Sequence, residues 1–124
     1  MGVSYTGLVL DSDSASKLIE AVRSLILPNW EVICHHMTIN LGDAKRGDAA
    51  ALLGTNQSLT AVAIASNDLV IAVKVETDVP SDNATKHITI AVNRKDGGKP
   101  FMSNKLCDWA TIPPIKLSGS VQEV

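Results

Sequence analysis

Residues 31–41, EVICHHMTINL, and residues 86–93, KHITIAVN, are the two stretches on which the fold turns. Both are rich in β-branched and apolar residues, and each predicts a strand. Strand side chains alternate between faces, so His36 and Thr38 share one face while Met37 and Ile39 share the other. His87 and Thr89 stand to Ile88 and Ile90 in the same way. The apolar faces call for a packed layer against them, which leaves each His-Thr pair to a cleft or to solvent.

Outward from these stretches the chain punctuates itself. Residues 4–10, SYTGLVL, read as an opening strand and run into Asp11-Ser12-Asp13-Ser14, a cluster of helix N-cap residues. Ala15, Leu18, Ile19, Val22, Leu25 and Ile26 then recur at three- and four-residue spacing until Pro28-Asn29, which predicts one amphipathic helix. Residues 42–54 read as a loop with a short helical turn from Asp48 to Leu53. The runs QSLTAVAIA (57–65) and LVIAVKVE (69–76) flank Ser66-Asn67-Asp68 and predict an antiparallel hairpin. After the second motif strand come a loop at Asp96-Gly97-Gly98, a short segment at Ser103–Leu106 and a closing strand near Ile115–Val121. One helix among consecutive strands places the chain in the α+β class.

The length of 124 residues predicts a single domain over residues 1–124, and 45% apolar with 19% charged residues is enough to build its core. Eleven basic residues against 13 acidic ones give a net charge of −2, the wrong sign for an extended duplex-binding surface. Lys86, Arg94, Lys95, Lys99 and Lys105 form a local basic run that offers at most a small phosphate-attracting patch. Tyr5, Trp30, Phe101 and Trp109 are all the aromatic residues, which excludes a long stacking platform for many bases. No apolar run approaches the roughly 20 residues that cross a bilayer, so no membrane partner is expected. Cys34 and Cys107, with no charged-then-apolar leader, predict ordinary thiols in a cytoplasmic protein. Met1-Gly2 with Thr6 matches a myristoylation pattern and Asn83-Ala84-Thr85 a glycosylation acceptor, but they read better as the approach to a strand and as a turn.

The repeat His-apolar-Thr-Ile, HMTI at 36–39 and HITI at 87–90, is the feature that carries chemistry. Displacement at phosphorus needs one group to take a proton from the attacking oxygen and another to give one to the departing oxygen. Histidine, with an ordinary pKa of about 6.5, serves either role near neutrality. Hydroxyl donors from Thr38 and Thr89 suit the charge that grows on the non-bridging oxygens. The chain has three histidines and eight threonines, so two His-x-Thr pairs inside predicted strands are a poor match to chance. The duller alternative is a pair of satisfied histidines on a polar sheet face.

With these motifs the chain resembles the 2H phosphoesterase superfamily, which is defined by two H-x-T motifs followed by an apolar residue. The resemblance runs from YTGLVLD through the first helix, HHMTIN and KHITIAVN. It is similar in particular to the cyclic phosphodiesterase domains of fungal-type tRNA ligases and to small bacterial and phage relatives. The resemblance implies a bilobal fold of antiparallel sheets around a central cleft, with His36 and His87 as acid and base and Thr38 and Thr89 on the phosphate. It also implies opening of 2′,3′-cyclic phosphates, cleavage of 2′-5′ linkages or cleavage of cyclic oligonucleotide signals. The 51 residues between the two histidines leave little room for substrate-gripping insertions and favour a small or terminal phosphodiester.

Other residues are weighed against that reading. Tyr5 is the best base-stacking group, with Phe101 a second. Lys99 and Ser103 are possible substrate contacts, Ser103 competing with a helix-cap role. Asn40 and Asn93 share the parity of their motifs, and strand termination is the duller role for each. His35 should face away from His36, with Ile33 and Met37, as a partly buried structural residue. A metal centre from Cys34, His35, His36, His87 and Cys107 is set aside because alternation splits the donors and no finger-type spacing occurs. The expectation is a monomeric, metal-independent phosphodiesterase without cofactor, acting on a small nucleotide or RNA end. A non-catalytic nucleotide-binding module is its rival.

Overall fold

A computed structural model describes residues 5–42, 44 and 47–124 of the chain. The Met1-Gly2 motif and the first residue of the predicted opening strand, Ser4, lie outside these residues. The elements run β1 (Tyr5–Leu10), α1 (Ser12–Val22), β2 (Glu31–Val32), β3 (His36–Leu41), α2 (Gly47–Leu52), β4 (Asn56–Ser66), β5 (Val70–Glu76), β6 (His87–Val92) and β7 (Ala110–Glu123). The fold is α+β, with α1 as its one main helix.

Asp11 starts α1 as its sequence neighbourhood demands: the carboxylate accepts the Ser14 amide at 2.7 Å, and a hydroxyl donation from Ser118 ties the cap to β7. These hydrogen bonds hold the Asp11 carboxyl below the usual carboxylate range, Ser118 contributing most. The stripe on α1 buries Leu18 and Val22, with Ala15 and Ile19 packed partly against the same core. After Val22 the chain tightens into a 3₁₀ turn, Arg23–Leu25, earlier than Pro28 alone would require, and Leu25 is left exposed.

The strands pair antiparallel in the order β6-β3-β1-β7-β4-β5, and β5 pairs back to β6, so these six close into a barrel. Leu8, Met37, Ile88, Ile90, Val73 and Val121 are fully buried within the core. Removing such a side chain typically costs about 2–5 kcal/mol. The β4–β5 hairpin forms where Ser66-Asn67-Asp68 predicts it. Asn67 Oδ1 accepts the amides of Leu69 and Val70, which fixes the turn locally. β7 is longer than the predicted 115–121 because it runs through Pro113-Pro114. Its register against β4 jumps there, from Ile115 opposite Ala61 to Thr111 opposite Ala63. Proline has no amide to give a ladder, and the jump removes the need for one.

Residues 31–41 do not form one strand. The consecutive amides of Ile33 and Cys34 both donate to β6, to the carbonyls of Ile90 (2.8 Å) and Thr89 (3.0 Å), which a regular antiparallel ladder does not allow. Cys34 adopts φ +39°, in the left-handed region that favours glycine. The strand bulges there and resumes at His36.

Candidate active site

Beyond the bulge, β3 lies against β6 with Met37 opposite Ile88. This register carries His36 toward Thr89 and Thr38 toward His87, so the two motifs cross as an antiparallel pair. Met37 and Ile88 enter the core, and the four polar side chains take the outer face. His36, Thr38, His87 and Thr89 all line one cavity of about 400 Å³, within the range of small-molecule sites.

Each histidine is held differently. The Thr85 carbonyl can only accept, so His87 Nδ1, 2.7 Å away, carries a proton and donates it. In the neutral ring this leaves Nε2 with the free lone pair, the form required of a base. His36 stacks under Tyr5, with ring centroids 4.3 Å apart and planes inclined by 20°. The two rings meet because Gly7 lies beneath them on β1. A Cβ there would stand 3.2 Å from Tyr5 Cε2 and 3.3 Å from His36 Cδ2. Burial drives the His36 pKa down to about 4, and the neighbouring His35 and then His87 push in the same direction. His36 is thus a neutral ring at pH 7.

His35 does not face away from His36. It is exposed, and its Nδ1 lies 3.1 Å from His36 Nδ1 with the rings edge to face. Alternation fails because residues 33–35 belong to the bulge and not to a strand. Tyr5 OH also reaches His36 Nδ1, at 3.3 Å. Burial raises the Tyr5 pKa, so its phenol stays protonated and able to donate.

The remaining candidates separate. Phe101, 60% exposed, lines the cavity, and Leu41, 72% exposed, lines it too. Ser103, 1% exposed, neither caps a helix start nor lines this cavity. It sits inside the 3₁₀ turn Pro100–Lys105 with its hydroxyl 2.8 Å from that of Thr89, fixing the threonine from behind. Lys99 is exposed and outside the lining. The rest of the basic run is also elsewhere: Lys86 Nζ donates to the Thr77 carbonyl at 2.8 Å, and Arg94 pairs with Glu31. Asn40 lines the cavity, whereas Asn93 bonds Asp68 and Asp96 at the end of β6. Cys34 is buried with Sγ toward the Ala15 carbonyl, burial pushing its thiol up to about 11, and Cys107 is exposed. Asp82 and Asn83, from the loop before β6, and Asn104, from the 3₁₀ turn, also line it.

A larger, shallower depression lies between β4, β5 and the approach to β6. Its lining includes Lys74, Glu76, Asp78 and Lys86 but no histidine. No helix among the described residues is long and apolar enough to cross a membrane. No family model matches the chain, and no curated protein matches it.

Proposed function

We propose that the chain is a phosphodiesterase of the 2H type that hydrolyses a 2′,3′-cyclic phosphate or a 2′-5′ ribonucleotide linkage by two-histidine acid–base catalysis, without a metal. The observation that carries this reading is the crossing of the two motifs around Met37 and Ile88, with both imidazoles and both hydroxyls in one cavity. His87 Nε2 takes a proton from the attacking water while the oxygen forms its bond to phosphorus. The bond from phosphorus to the ribose oxygen breaks, and His36 Nε2–H gives that oxygen its proton. Thr38 donates to a non-bridging oxygen, and Thr89 does so by turning its hydroxyl from the Pro100 carbonyl, to which it donates at 3.3 Å, while Ser103 stays 2.8 Å from it. Positioned groups of this kind contribute roughly 10²–10⁴ each.

The bilobal reading has support in the narrowness of the β3–β6 ladder, whose register at the cavity rests on one pair. On either side of it stand the β1–β3 and β5–β6 pairings, the natural lobes. Leu41 and Phe101 flank the site with exposed apolar surface, suited to one or two bases and not to a long strand. The test incubates the protein in EDTA with 2′,3′-cyclic nucleotides, 2′-5′ dinucleotides and cyclic oligonucleotides, beside His36→Ala and His87→Ala. Turnover in the wild type lost in both variants is the expected result. Inactivity on every substrate, or unchanged activity in both variants, overturns it; binding without turnover assigns the cavity to a nucleotide-binding module.

A further inference from the structure

We infer that His35 is a positioning residue that feeds protons from solvent to His36, through Nδ1 to Nδ1, so that a buried neutral imidazole can serve as the acid. The inference deepens the hydrolase reading and rests on it. His36 presents a difficulty to that reading: with a pKa of about 4 it is charged in about one molecule in a thousand at pH 7. An acid so rarely protonated wastes most encounters. His35 removes the difficulty by geometry, being exposed to bulk water while its Nδ1 lies 3.1 Å from His36 Nδ1.

Two nitrogens at that distance share one proton, so one ring donates and the other accepts. The relay takes His36 Nδ1 as the accepting atom, an assignment that the Tyr5 phenol 3.3 Å away matches by being protonated and able to donate to it. The neutral His36 then bears its proton on Nε2, the nitrogen left for the cavity. In the forward step His36 Nε2–H passes to the departing ribose oxygen as His35 imidazolium passes its Nδ1 proton to His36 Nδ1. His36 stays neutral throughout and changes tautomer, and His35 ends neutral. On product release the Nδ1 proton returns to His35, Nε2 regains a proton from water, and His87 gives up to water the one it took. Net proton count is unchanged.

The titratable groups facing this pair are Tyr5 from β1, His87 from β6 and Asp82 from the loop before β6, which lines the same cavity. Among the described residues only His35 meets the His36 ring by a nitrogen-to-nitrogen contact, and it is exposed. The bulge that creates the contact places a non-glycine residue, Cys34, at φ +39°, in the left-handed region that favours glycine.

The test has one arm that needs no substrate. Long-range ¹H–¹⁵N spectra of the histidine rings should show His36 with Nδ1 bare and Nε2 protonated at pH 7. A ¹⁵N–¹⁵N coupling across the hydrogen bond should join the two Nδ1 atoms, and it should vanish in His35→Gln. Absence of that coupling in the wild type, or a protonated His36 Nδ1, overturns the relay. The second arm compares kcat for 2′,3′-cyclic AMP and for uridine 3′-(4-nitrophenyl) phosphate, whose leaving group needs no proton. His35→Gln should lose about 10- to 100-fold on the first and less than about 3-fold on the second. Equal losses on both overturn the relay. Inactivity of the wild type on these two and on the 2′-5′ and cyclic oligonucleotides as well refutes the hydrolase reading alone, and the spectra still decide the relay.

Discussion

Gly7→Ala tests the stack that shapes the site. The added Cβ meets the Met37 carbonyl and Tyr5 Cε2 at 3.2 Å and His36 Cδ2 at 3.3 Å, each a few tenths of an ångström inside ordinary contact. The carbonyl is fixed in the β1–β3 ladder, so the rings are what must give. Losing the Tyr5–His36 stack costs about 0.5–1.5 kcal/mol. Replacing a strand glycine by alanine returns about 0.5–1 kcal/mol. The two nearly cancel, so global stability by urea unfolding should change by less than about 1 kcal/mol. The site should change far more. With Tyr5 displaced, His36 becomes better solvated and its pKa climbs from about 4 toward the ordinary value of about 6.5. An NMR titration of the His36 ring reads the shift, and the upfield ring-current displacement should shrink with it. A variant whose His36 pKa and ring-current shift match the wild type refutes the argument.

Three further outcomes follow from the same geometry. Because the folded-state pKa of His36 lies below its unfolded value, the native state binds fewer protons between about pH 4 and 6.5. Stability is therefore complete above pH 6.5 and falls by up to about 3 kcal/mol as pH drops to 4; urea midpoints should show this slope in the wild type, and a His36→Gln variant that keeps it whole contradicts the assignment. Gly119→Ala would set a Cβ 2.2 Å from the Val9 carbonyl oxygen, where β7 meets β1. Backbone must move, and a thermal melt should record a loss of about 1–3 kcal/mol; an unchanged melting temperature speaks against the β1–β7 register. Phe101→Ala, at a 60% exposed position, should leave stability within about 0.5 kcal/mol. Its KM for a cyclic nucleotide should rise roughly 5- to 150-fold if the ring stacks on a base, and an unchanged KM removes Phe101 from substrate binding.

What could be read from the sequence was whatever local periodicity governs. The helix cap at Asp11, the hairpin at Asn67 and the His-x-Thr faces depend on neighbours within four residues and form as read, and the stripe on α1 does so as far as Val22, short of the Leu25 and Ile26 that the spacing includes. Closure of the barrel depends on β1 finding β7 and β5 finding β6, and pairing over such separations leaves no mark in composition. The same holds for Ser103, whose partner Thr89 is 14 residues away, and for Asp82 and Asn83, which reach the cavity from a loop. His35 was misplaced for a different reason. Alternation presumes an unbroken strand, and nothing in the letters ICHH announces that Cys34 takes a left-handed backbone.

The bulge can be counted. Along β6, Val32 lies opposite Ala91 and Met37 opposite Ile88, so four residues of one strand span two of the other. If Cys34 and His35 are struck out, Ile33 meets Ile90, His36 meets Thr89, and 31–41 becomes one continuous strand with both motifs facing as they do now. The β2–β6 and β3–β6 pairings share one register without these two residues, at the loss of the Cys34 side chain from the core and of the bond from the Leu10 amide to the His35 carbonyl. Cys34 and His35 amount to a dipeptide insertion in an otherwise regular ladder, and what it contributes is one buried thiol and a second imidazole beside His36. A shortened chain lacking them should therefore fold, and comparing it with the parent would separate what the motif does alone from what the insertion adds.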